Sequence, residues 1–176
     1  MEEEILDVVD ENDKFIRKAT RKEVRENVLM HRTARVIIKN RKGELLIQKR
    51  SANKKTFPTH FDLGIAETSL SGEGYVGAAI RGLMEELGII GVSNIQLIHS
   101  FLFKIRYSSA ETNELCKVYW IEYDGKLIAQ EEEIEEIKFL RVEEIKKMIE
   151  ESPFHPVGKI VFEKYLEIIN QKWNQK

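Results

Sequence analysis

The sequence predicts an α/β (α+β) fold in which a mixed β-sheet is sandwiched between α-helices. Three observations predict it. The runs ARVIIKN and ELLIQKR are rich in β-branched and aliphatic residues and mark strands. Residues 74–88 carry apolar side chains at three- and four-residue spacing and mark a helix between strands. Two further helical stretches close the chain, so strands and helices mix without strict alternation. The 176 residues fit one domain. We divide it into an N-terminal hairpin extension (1–30), a core (31–152) and a C-terminal helix (153–176).

The elements follow in order. Residues 4–9 and 15–20 flank the turn-rich DENDK and read as a hairpin. Residues 22–29 read as a short helix or turn. The two aliphatic strands meet at Arg41-Lys42-Gly43, a tight turn, and 51–61 form a polar loop in which Pro58 excludes regular helix. In the helix over 74–88, Val76, Ala79, Ile80, Leu83 and Leu87 make the expected apolar face, and Gly88 stands where a C-terminal glycine cap belongs. Strands are expected at 95–107 and 115–123, separated by the loop SSAETN, and at 137–140. Helices are expected over 142–151 and 157–172, the last with Ile160, Val161, Tyr165, Ile168 and Ile169 facing inward.

Composition excludes some functions. A net charge of −2 argues against a general nucleic-acid binder, which carries a basic excess. Cys116 is the only cysteine, so no internal disulfide forms and a reducing compartment is expected. The acidic start MEEEILDVVD is unlike a signal peptide, and no apolar run approaches the ~18–20 residues that span a bilayer. The expectation is a cytoplasmic protein with neither nucleic-acid nor membrane partners; a homodimer is left open.

On a helical wheel, Arg81, Gly82, Glu85 and Glu86 fall opposite the apolar face. Two carboxylates near a helix C-terminus oppose the dipole, and Arg81 offsets part of that cost as an i,i+4 partner of Glu85. Such a pair suits a hard cation such as magnesium, which takes one or two carboxylates plus substrate phosphates. A solvated surface face is the other reading of the same spacing.

The run GEGYVGAAIRGLMEELGI resembles the Nudix box, whose pattern is G, five residues, E, seven residues, then R-E-apolar-x-E-E-x-G-apolar. Glu73, Arg81, Leu83, Glu85, Glu86, Gly88 and Ile89 fall in register, seven of nine specified positions. The resemblance implies a Nudix fold and Mg2+ (or Mn2+) held by Glu86, Glu85 and Glu73, with Arg81 and Gly88 in structural roles. It implies catalysis by Glu85 and Glu86 together with a glutamate outside the box, Glu114 or Glu133. The two departures are Glu67 for the opening glycine and Gly82 for the glutamate after Arg81. Glycine inside a helix costs about 1 kcal/mol relative to alanine, so Gly82→Glu is expected to stabilise the helix unless something packs closely there.

The segment from His31 to Ile89 is also similar to isopentenyl-diphosphate isomerases and the Nudix hydrolases most like them. That resemblance implies a diphosphate grip at Arg50 and Lys54, with Lys49 and Lys55 beside them, and cationic groups on one loop do neutralise a diphosphate well. The isomerase's own chemistry is not carried: its cysteine falls at Ala66, its metal-binding histidines at Val24, His31 and Thr68, and its two glutamates at Thr112 and Glu114. The expected function is metal-dependent hydrolysis of a diphosphate linkage in a nucleoside diphosphate joined to another group, or in a similar small organic diphosphate. A divergent isomerase-like protein and a catalytically weakened diphosphate binder are the alternatives. Trp120 is expected in the core, and whether Trp173 covers a partner surface is left open by the sequence; His60 and His155 receive no role.

Overall fold

The computed structural model describes residues 3–92, 95–107 and 110–173, with side chains for all of these except 97–107, 110–112 and 171–173. In chain order the elements are β1 (Ile5–Val9), β2 (Phe15–Thr20), α1 (Arg21–Glu26), β3 (Met30–Lys39), β4 (Leu45–Arg50), β5 (Phe61–Leu63), β6 (Ile65–Thr68), α2 (Tyr75–Leu87), β7 (Gln96–Tyr107), β8 (Ala110–Glu122), β9 (Ile134–Leu140), α3 (Val142–Glu151) and α4 (Pro156–Trp173).

Strand β3 is the axis. It runs parallel to β8 from Met30↔Asn113 to Lys39↔Glu122 and antiparallel to β6 from Thr33↔Thr68 to Val36↔Ile65. Its alternation sorts the two cores, because successive side chains of a strand point to opposite faces. Ala34, Val36 and Ile38 pack with Ala79, Leu83 and Leu87 of α2, whereas Ile37 packs with Ile145 of α3 and Val157, Val161 and Phe162 of α4. The mixed sheet is thus covered by helices on both faces, as expected.

The strands ARVIIKN and ELLIQKR meet at the expected tight turn but pair with each other only beside it, at Lys39 and Leu45. Beyond it β4 turns away to pair antiparallel with β5 and β9. Strands β5 and β6, absent from the sequence reading, are three and four residues long, too short to show a period. Gly64 joins them at a φ of 62°, and a Cβ there would overlap the Val36 carbonyl. Only glycine lets the chain step from β4 to β3 at this point.

The first hairpin pairs as expected, with Ile5↔Thr20 through Val8↔Arg17, and packs its own small core of Leu6, Val8, Ala19 and Val24. The expected loop SSAETN is corrected, since β8 already begins at Ala110 and pairs with β7 from there. In α4, Ile160 is exposed and Phe162 is buried in its stead. Trp120 is partly buried against the α4-side core; the Trp173 side chain lies outside the described residues. No described helix is long and apolar enough to cross a membrane.

The largest correction concerns α2. Tyr75, Ala78, Ala79, Gly82, Leu83, Glu86 and Leu87 are buried, while Val76, Ile80 and Met84 are exposed. The buried face is therefore turned by about 70° from the expected one at ~100° per residue. The helix carries apolar residues on both flanks, and the side without a Cβ at residue 82 can lie closer to the sheet.

Candidate active site

The C-terminal half of α2 lies over β6 with Gly82 at the approach. A Cβ on residue 82 would stand 2.9 Å from Ile65 Cδ1 and 3.0 Å from Glu67 Cβ. The first contact is with the end of a side chain, but the second is with an atom fixed to the strand backbone. The expected gain from replacing this glycine is accordingly corrected. Gly82→Ala is expected to lower stability by about 1 kcal/mol, since overpacking costs ~1–3 kcal/mol against ~1 kcal/mol of helix propensity. Urea unfolding checks this, and a more stable alanine variant would show that the strand yields.

Glu86 follows one turn later on the same face and is only 7% exposed. Its carboxylate accepts no hydrogen bond among the described residues. Burial pushes it up to about 8, with the Glu67 charge adding, against the pull of Lys54 and Arg50. A buried carboxylate without a partner is costly, and a bound cation would offset that cost. Among the described residues no three His, Cys, Asp or Glu side chains converge on one point. This donor set fits a divalent ion that completes its shell with phosphate oxygens and water, which is magnesium's habit.

Arg81 organises the remaining carboxylates. Its Nε donates to Glu73 Oε1 at 3.0 Å and its second terminal nitrogen to Glu73 Oε2 at 2.9 Å and to the Thr68 carbonyl at 2.9 Å. Its other terminal nitrogen lies 3.2 Å from Glu67 Oε1 and 3.3 Å from Glu85 Oε2. Hydrogen bonding to Glu73 raises the Arg81 guanidinium well above its usual range. Glu73 also accepts the Leu70 backbone N–H at 2.9 Å. Both of its oxygens thus accept hydrogen bonds, which tie the turn before α2 to the helix through Arg81. Glu85 remains half exposed beside Arg81. Gly88 closes the helix as expected, at φ 67°, with its N–H donating to the Met84 carbonyl and that of Ile89 to the Leu83 carbonyl.

Across from Glu86 stands the loop after β4. Lys54 forms an ion pair with Glu133, just before β9. Arg50 is spent partly on the loop itself: Nε donates to the Phe57 carbonyl at 3.1 Å and a terminal nitrogen to that of Thr56 at 3.0 Å. Burial lowers both cations, and each also feels the Glu86 charge. Lys55 is exposed, and Lys49 pairs with Glu135. Glu114 lies apart on the β3–β8 ladder, in register with His31 and accepting the Thr33 hydroxyl at 3.1 Å. His31 is buried, with Nδ1 3.0 Å from the Leu29 carbonyl.

Sequence reasoning missed a buried polar group behind the loop. Arg35 donates to both oxygens of Asp62, at 2.9 and 3.3 Å, with His155 Nδ1 3.5 Å from the same guanidinium. Burial opposes the Asp62 charge, but Arg35 outweighs it and holds the carboxyl below its usual range. Burial pushes the His155 imidazole down to about 3, against the attraction of Asp62. The ring also packs on Phe57 with centroids 4.3 Å apart. The signal available was a charged residue inside each apolar run, Arg35 in ARVII and Asp62 in FDL.

Comparisons with known proteins agree with this architecture. The family model described as the NUDIX domain matches residues 29–159. The chain is 33% identical over 157 residues to an uncharacterized Nudix hydrolase of Streptomyces coelicolor, covering 89% of this chain and 84% of that one. It is 31% identical over 167 residues to isopentenyl-diphosphate delta-isomerase 2 of Homo sapiens, covering 84% and 74%. The crystal structure of DR0079 from Deinococcus radiodurans superposes with a TM-score of 0.75 at 25% identity, over 92% of this chain and 99% of that one.

Proposed function

The chain belongs to the Nudix hydrolase family, whose members act on pyrophosphate bonds with divalent ions, and from that premise we propose a specific division of labour. The protein cleaves a diphosphate linkage in a nucleoside diphosphate joined to another group, or in a similar small organic diphosphate, with Mg2+ or Mn2+. The observation that carries this reading is the buried, unpartnered Glu86 carboxylate facing the cationic loop of Arg50 and Lys54.

Glu86 is the principal cation ligand and Glu85 supports it from the exposed side. A bound divalent ion neutralises charge that develops on the phosphoryl oxygens. Lys54 meets a substrate phosphate, which draws it away from Glu133. The freed Glu133 carboxylate then accepts a proton from the attacking water as a new phosphorus–oxygen bond forms and the bridging one breaks. Arg50 holds the loop in place and contributes its remaining charge. Glu114 supports β3 and takes no part in the chemistry. An isomerase mechanism finds no nucleophile at Ala66, which lies on β6 opposite Arg35.

A panel of nucleoside diphosphates joined to a second group and of isoprenoid diphosphates, with Mg2+ or Mn2+ and release of the monophosphate products as the readout, tests the reading. Cation-dependent release that EDTA abolishes is expected. Tight binding of a diphosphate without any release would overturn hydrolysis in favour of a binding protein. Within that assay Lys54→Ala is expected to raise KM about tenfold, ~1.4 kcal/mol of charge-assisted binding, with little change in stability. Arg50→Ala should raise KM and also lower the melting temperature, because two loop carbonyls lose their donor. An unchanged KM in both would remove the loop from the substrate site.

A further inference from the structure

Residue 82 has no side chain, yet the space beside it is filled. The atoms nearest to where its Cβ would stand include Glu67 Cβ at 3.0 Å and Glu67 Cγ at 3.4 Å. The stem of Glu67, rising from β6, thus occupies the volume that a side chain on α2 would use. The two positions are also the two at which the sequence departs from the Nudix box, one by losing a glutamate and the other by gaining one.

We propose that Glu67 has taken over the cation-ligand position vacated at Gly82, reaching from the strand the point that a residue-82 carboxylate would reach from the helix. This rests on the reading of Glu86 as a cation ligand given above. Three observations support it. Glu86, one turn after Gly82, is buried with an unpartnered carboxylate. The stem of Glu67 stands where a side chain on residue 82 would, one turn before Glu86 on the same buried face of α2, so the two carboxylates meet one desolvated space that a cation between them would neutralise. Glu67 is also held in place: Oε1 accepts the Thr68 backbone N–H at 3.0 Å and lies 3.2 Å from Arg81 and 3.9 Å from Arg21. Oε2 accepts no hydrogen bond among the described residues, and the proposed cation would bind there.

The close fit explains why the exchange is reciprocal. With Glu67 present, a side chain on residue 82 crowds the strand; with a small residue at 67, only the flexible end of Ile65 has to move aside. Arg81 serves as the positioning residue, since it binds Glu67 and Glu73 together and fixes the strand carboxylate against the helix. Two carboxylates with phosphate and water completing the shell satisfy magnesium or manganese.

Mn2+ binding to the full-length protein without substrate, read from the electron paramagnetic resonance signal of the free ion, tests this independently of turnover. Glu67→Gln is expected to weaken Mn2+ binding at least tenfold while the melting temperature in EDTA stays level or rises, because a like charge beside Glu86 is removed. The exchanged pair, Glu67→Gly with Gly82→Glu, is expected to recover binding to within about threefold of wild type. If Glu67→Gln binds Mn2+ like wild type while Glu86→Gln does not, Glu67 is only an ion-pair partner of Arg81 and the proposal is overturned with the Glu86 reading intact. If neither variant changes Mn2+ binding, the cation reading of Glu86 itself fails.

Discussion

Asp62→Ala is expected to destabilise the protein by about 3–5 kcal/mol, the usual cost of leaving a buried partner charge uncompensated. Asp62 and Arg35 are 1% and 5% exposed, so solvent cannot replace the lost carboxylate. The same carboxylate accepts the Leu63 backbone N–H at 2.9 Å and faces the first turn of α4, where a Cβ on Gly158 would overlap its Oδ1. Gly158→Ala should therefore act like a milder form of the same change, by displacing the carboxylate instead of deleting it. Urea unfolding measures both. A loss under 1 kcal/mol for Asp62→Ala would mean that water or His155 compensates Arg35.

His155 gives this group a pH signature. Its folded value of about 3 lies below the ordinary 6.5, so below pH 6.5 the unfolded chain binds a proton that the folded protein refuses. Its contribution is fully present above pH 6.5 and falls by ~1.4 kcal/mol per unit towards the folded value, or ~2 kcal/mol by pH 5. Asp62, whose carboxyl is held down, contributes above the ordinary carboxylate range and is lost only at more acid pH. Relative to wild type, His155→Gln should lose stability at pH 7 and recover most of the difference by pH 5. Parallel stability curves for the two proteins would contradict a neutral buried imidazole.

The second large effect is on turnover. Glu86→Gln is expected to lower kcat by two to three orders of magnitude, roughly 3–4 kcal/mol, since an amide is a poor ligand for a hard cation and the charge it must balance remains. The fold should persist, because the amide is isosteric and no longer carries a charge into a buried site. Circular dichroism and thermal unfolding establish the fold, and release of the monophosphate products at saturating Mg2+ reads the loss. Turnover within a factor of three of wild type would remove Glu86 from the centre of the site.

The local features were legible in the sequence because local chemistry decides them. The hairpin around DENDK, the helix ending at Gly88 and the Arg81–Glu85 pair depend on residues within a few positions of each other, and all three stand in the structure. The motif also revealed which family the chain belongs to. Tertiary structure alone decided which flank of α2 meets the sheet. Val76, Ile80 and Met84 offer as good an apolar stripe as Tyr75, Ala79 and Leu83, and periodicity cannot choose between them. The bare backbone at Gly82 chose, by letting β6 approach, and so Glu86 turned inward and Glu67 came up beside it. Arg35, Asp62 and His155 met for a similar reason. Their separations of 27 and 120 residues leave no periodic trace, and only the packing of β3, β5 and the start of α4 brings their charges together.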